Sequence, residues 1–143
     1  MTRGRPPKKG LGEALPVALA RGTVMCTLQN GESVCDLIII GKDQVVLIRV
    51  RKARRIRVSQ QETEREYQEP ILRLRSFPAP GPVIRELWIY SRYGIWRFFR
   101  IEDTGIVEIC QDGMLLKNPF RVVAMTVRAV YARKKGTRLV KEG

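Results

Sequence analysis

Apolar positions in this chain switch between strand-like and helix-like spacing, and the switches divide it into elements. The longest apolar stretch is Val34-Cys35-Asp36-Leu37-Ile38-Ile39-Ile40-Gly41, then Lys42-Asp43, then Gln44-Val45-Val46-Leu47-Ile48-Arg49-Val50-Arg51-Lys52. Such β-branched runs predict strands buried on both faces, with a covering layer on each side. Gly41-Lys42-Asp43 between them predicts a hairpin. Upstream, Leu11, Leu15 and Leu19 share one face of a helix expected over Leu11 to Arg21. Pro16 should start or kink that helix, and Gly22 should end it. Thr23 to Gln29 reads as a first strand, turned by Asn30-Gly31.

Downstream, Ser59-Gln60-Gln61-Glu62 has capping-box spacing, which predicts a helix from Gln60. Glu62, Glu64, Glu66 and Glu69 suit its start, and Arg73 and Arg75 suit its end. Tyr67, Ile71 and Leu74 form its apolar face, and Pro70 should kink or divide it. Phe77 to Pro82 is a stiff connector. Ile84 to Ser91 and Gly94 to Ile101 predict a second hairpin across Arg92-Tyr93, and Gly105 to Cys110 a short last strand. Trp88 and Trp96 read as core residues rather than base-stacking platforms. Asn118-Pro119 opens a final helix with Phe120, Val123, Val127, Val130 and Tyr131 on one side. The expected division is a disordered basic arm over 1–10, a core over 11–110, an extension over 111–136 whose helix packs on the core, and a basic tail over 137–143.

Composition narrows the possible functions. The chain has 143 residues, 44% of them apolar, enough for one folded domain with tails. It has no run of apolar residues long enough for a membrane span and no apolar leader, so a cytoplasmic, nucleoid-associated protein is expected. The three cysteines, Cys26, Cys35 and Cys110, have no metal-ligand spacing and read as reduced core residues. With no histidine, any triad built on imidazole is excluded. The decisive feature is charge: 27 Lys+Arg against 14 Asp+Glu gives a net +13. A surface of that sign attracts polyanions, above all nucleic acid, and no basic amphipathic helix points to a membrane instead. Arg3-Gly4-Arg5-Pro6 followed by Lys8 and Lys9 resembles an AT-hook, a short extended arm suited to a narrow minor groove.

The order helix, three meandering strands, helix, further strands resembles the PD-(D/E)XK nuclease-like fold, and in detail the archaeal Holliday junction resolvases. The resemblance runs over about residues 11–101 and centres on Cys35-Asp36 and Arg49-Val50-Arg51. It implies an α+β, restriction-endonuclease-like αβββαβ core with a mixed central sheet flanked by helices, followed by a C-terminal helix. In the family, an Asp after proline on the second strand binds metal, and the third strand carries an acid-X-lysine element. Here Cys35 stands for the proline and Asp36 keeps the carboxylate, but Arg49 stands at the acid and Arg51 at the lysine. Glu13 matches the glutamate that often completes the metal site of these resolvases.

The departure bears on enzymology. A guanidinium in place of a carboxylate removes a ligand and adds repulsion, about 4 kcal/mol per pair of unit charges 4 Å apart at an effective dielectric of 20. The expectation is therefore a nuclease-like fold without catalysis and without cofactor. Asp36 and Glu13 are then vestigial catalytic residues, and Asp36 can serve as the partner of a buried ion pair. The partner is DNA, duplex or branched, contacted by Arg49, Arg51, Lys52, Arg54, Arg55 and Arg57 from the fold and by Arg3, Arg5, Lys8 and Lys9 from the arm. Two alternatives stand beside it. One is an active Mg²⁺-dependent endonuclease in which Asp36 and Glu13 hold the metal, aided by Glu62 or Glu66. The other is a basic subunit of a ribonucleoprotein assembly. The resemblance also implies a capacity to form homodimers.

Overall fold

The structure is a computed structural model and describes residues 8–27, 34–56 and 58–116. It is an α+β fold: one six-stranded mixed sheet with helices on both faces. In chain order the elements are α1 (Lys8–Leu19), β1 (Thr23–Cys26), β2 (Leu37–Ile40), β3 (Val45–Lys52), α2 (Gln60–Glu66), α3 (Gln68–Arg75), β4 (Val83–Tyr90), β5 (Trp96–Ile101) and β6 (Ile106–Ile109). The strands lie side by side in sequence order. All neighbours are antiparallel except β3 and β4, which run parallel from Val45↔Val83 to Lys52↔Tyr90. The helical crossover α2–α3 makes that parallel pairing possible. The expected mixed sheet and the order αβββαβ are present, with the second helix split and two strands added.

The alternation of β3 shows why it is buried on both faces. Val46, Ile48 and Val50 join a cluster with Ala14, Val17 and Ala18 of α1 and with Trp88, Tyr90, Trp96 and Phe98. Leu47 points the other way, into a cluster with Tyr67, Ile71, Leu74, Leu87, Ile89 and Phe99. Both tryptophans are core residues, as their setting predicts; Trp88 meets Trp96 edge-on at 6.4 Å. β2 is covered less completely, and Ile40 at its end is exposed.

Several local details differ from expectation. α1 begins at Lys8, so Lys8, Lys9 and Gly10 are helical rather than part of an arm. It buries Gly10, Ala14, Val17 and Ala18, while Leu19 is exposed. The small residues win this face because they let the helix approach the sheet closely: a Cβ on Gly10 would lie 2.5 Å from Tyr90 Cε1. Pro16 sits inside the helix. The α2–α3 break falls at Tyr67 (φ −107°, ψ 35°), not at Pro70. Pro70 occupies the first turn of α3, where a missing N–H costs nothing. The capping box forms as spaced: Ser59 Oγ accepts from the Glu62 N–H and Glu62 Oε1 from the Ser59 N–H. Cys35 is buried, but Cys26 is exposed and Cys110 half-buried, so only one thiol is a core residue. Asn30-Gly31, Arg3, Arg5, Arg57, the helix expected after Asn118 and the basic tail lie outside the described residues. Among the described residues, no helix is long and apolar enough to cross a membrane.

Candidate functional site

Two charged assemblies occupy the face and the end of the sheet that β3 reaches. The first is built on Asp36, at the entry to β2. Its backbone is fixed on both sides: its N–H donates to Ile48 O (2.7 Å) and its carbonyl accepts from Thr27 N (3.1 Å). Its carboxylate is buried, 1% exposed. Oδ1 accepts from Arg49 Nη1 at 3.0 Å, Oδ2 accepts from the Val50 N–H at 2.8 Å, and Arg51 Nη1 lies 3.6 Å from Oδ2. Burial pushes the Asp36 carboxyl above the ordinary carboxylate range, against the pull of the Val50 N–H, Arg49 and Arg51. These partners are all donors, a set that suits the ionised form.

Sequence spacing places Arg49 and Arg51 correctly on one face, and both reach Asp36. Arg49, however, is only 1% exposed, so it is not available to a phosphate. Arg51 is half-buried, donating to Val50 O at 2.9 Å. Glu13 does not join them. It lies on α1, on the opposite face of the sheet, where its charge raises the Tyr90 phenol in concert with burial. Glu62 is committed to its capping box, and Glu66 is exposed near Tyr67. The divalent-metal site implied by the nuclease resemblance does not fit these residues. The one carboxylate at the motif position is enclosed by two guanidinium groups, and its supposed partner faces the other way. Among the described residues, no group of three His, Cys, Asp or Glu side chains could hold a metal ion.

The second assembly lies where β3 and β4 leave the sheet. The parallel ladder continues one step beyond Lys52, the Ala53 N–H donating to Tyr90 O at 2.7 Å. Ala53 and Ile56 then turn inward, while Lys52, Arg54 and Arg55 are exposed. The segment is anchored from beneath by Arg97 of β5, a buried side chain. Arg97 Nη1 donates to Ile56 O at 2.9 Å and to Val58 O at 2.7 Å. Its Nε and Nη2 donate to the two oxygens of buried Glu108, at 2.8 and 2.7 Å. Every nitrogen of that guanidinium is used.

Facing this segment is the β4–β5 turn. The Ser91 N–H donates to Ile95 O (2.9 Å), and the Gly94 N–H donates to Ser91 O (3.1 Å). Ser91 Oγ accepts from the Tyr93 and Ile95 N–H groups, and Gly94 takes φ 83°, which favours glycine. The turn holds Arg92 and Tyr93 outward: Tyr93 is 75% exposed, and the Arg92 guanidinium lies 5.4 Å from its ring centre. Between the two segments is an open groove of about 540 Å³ lined by Lys52, Ala53, Arg54, Ile56, Ser91, Arg92, Tyr93 and Ile95. It offers three cations over an apolar floor, and among the described residues no carboxylate lines it. The first turn of α1 packs on Tyr90, so Lys8 and Lys9 stand at this same end of the sheet.

The sequence showed Lys52, Arg54 and Arg55 as a charge run, but not Arg92, Tyr93 or the Arg97–Glu108 pair. Arg92-Tyr93 read only as a turn, and what joins it to the charge run is the parallel register of β3 and β4. No family model, no curated protein and no solved structure matches this chain.

Proposed function

We propose that this protein binds nucleic acid through phosphate contacts at the groove beyond β3 and β4, and holds it without cutting it. One observation carries the reading: Lys52, Arg54 and Arg92 converge on one groove, which no carboxylate lines among the described residues. Arg55 adds exposed charge beside it, and Lys8 and Lys9 start α1 at the same end. Lysines and arginines at a sheet end position a phosphate backbone without reading sequence. The nuclease-like ancestry suggested by Cys35-Asp36 and Arg49-Val50-Arg51 fits a protein of this kind. Its carboxylate now anchors two arginines, and Arg49 serves the core rather than the ligand.

Fluorescence anisotropy of labelled duplex and four-way-junction DNA across a salt series tests this. Affinity should fall linearly on a log–log plot, and the paired substitution Lys52→Glu and Arg54→Glu should weaken binding and lower the slope by about two, one per phosphate contact. Salt-independent binding, or binding untouched by that pair, overturns the reading. Junction DNA incubated with Mg²⁺ or Mn²⁺ should stay intact; cleavage by the unaltered chain that is lost in an Asp36→Asn variant shown by circular dichroism to be folded establishes the endonuclease alternative instead. RNA that displaces DNA at matched salt shifts the reading to a ribonucleoprotein subunit.

A further inference from the structure

We infer that the groove takes an unpaired base, stacked on Tyr93, so that the preferred ligand is single-stranded or locally melted nucleic acid rather than continuous duplex. The inference rests on the phosphate-binding reading above and names its substrate class. Tyr93 is 75% exposed while Trp88, Tyr90, Trp96, Phe98 and Phe99 fill the core, so packing among the described residues does not account for it. It is also held in place. Gly94 at φ 83° and the two hydrogen bonds accepted by Ser91 Oγ fix the turn that carries it. A platform ordered in advance loses little freedom when a ligand arrives.

The surroundings match a nucleotide in three parts. Tyr93 supplies a π-face, and Arg92 lies over that ring at 5.4 Å, so a base on the ring's free face completes an Arg–Tyr–base stack. Ala53, Ile56 and Ile95 give the groove an apolar wall for the edge of the base. Lys52 and Arg54 stand across from the ring, where the phosphates on either side of a splayed base would lie. The volume of about 540 Å³ falls within the range of about 300–1,000 Å³ common to small-ligand sites. Bases inside a duplex present only their edges, so the stack forms only where a base is unpaired.

The test compares an end-labelled oligothymidylate with a blunt-ended duplex of the same length, by anisotropy at one salt concentration. The full chain should prefer the oligothymidylate. Tyr93→Ala should weaken that binding by about tenfold or more while changing duplex binding by less than about twofold, and Tyr93→Phe should retain it. Tyr93→Trp should bind with quenching of its added emission, a signature of stacking that phosphate contact alone does not give. Equal loss on both ligands in Tyr93→Ala, or no loss on either, overturns the stacking inference; if Arg54→Glu still weakens both ligands, the phosphate reading survives that result. Failure of the unaltered chain to bind either ligand overturns both.

Discussion

Asp36 is where a catalytic and an architectural role make opposite predictions about stability. A ligand held for chemistry can be removed at little cost to the fold. A carboxylate whose oxygens hold a buried guanidinium and a backbone N–H cannot. Replacing Asp36 by Ala deprives Arg49, 1% exposed, of this buried counter-ion, and breaking a buried ion pair by removing one partner costs about 3–5 kcal/mol. The Val50 N–H, at 2.8 Å from Oδ2, loses its acceptor as well, a further cost of about 1–3 kcal/mol. Arg51, at 3.6 Å and partly exposed, can swing toward water and adds little. The two large costs overlap, because neighbours relax around both. A loss of at least about 3 kcal/mol is expected, a major share of the roughly 5–15 kcal/mol that holds a domain folded. Urea denaturation followed by tryptophan emission measures it, since Trp88 and Trp96 are both in the core. The double substitution Asp36→Ala with Arg49→Met removes charge and counter-charge together and should recover most of the loss. A single-variant loss below about 1 kcal/mol, or a double variant no better than the single, refutes the account of Asp36 as the anchor of Arg49.

Two other properties are open to direct measurement. Cys35 is buried, and burial first, then the neighbouring Asp36 charge, pushes its thiol up to about 11. At pH 8 its thiolate fraction is then about one part in a thousand, so Ellman's reagent on the native protein should modify exposed Cys26 well before Cys35; equal rates contradict the burial of Cys35. Gly10→Val should destabilise by about 1–3 kcal/mol in thermal melts, because its side chain meets the Tyr90 ring at 2.5 Å, whereas Gly12→Ala, with open space around it, should not.

Where periodicity was strong, the sequence specified the structure closely. The β-branched runs around Gly41 became β2 and β3, the capping box started α2 at Gln60, and the tryptophans packed inside. In α1 small size, not leucine spacing, decides which face is buried. The stripe of Gly10, Ala14 and Ala18 carries little hydrophobicity, yet it sets how near the helix can come. That Arg49 and Arg51 share a face was legible from their two-residue spacing, whereas the separation of Glu13 from Asp36 was not. Facing opposite sides of a sheet is a tertiary fact, and a motif match along the chain does not encode it. The groove was hidden for a similar reason. Lys52 and Tyr93 are far apart in sequence and meet only through the parallel register of β3 and β4.

The grip of Arg97 on the carbonyls of Ile56 and Val58 separates shape from content in the segment after β3. The path of that backbone is dictated from inside the protein, by a side chain that never meets solvent. Its outward residues, Arg54 and Arg55, are thus relieved of any duty to maintain the loop. They can be exchanged for other chemistries while the loop keeps its contour, which makes this rim a natural place to rewrite surface chemistry by design.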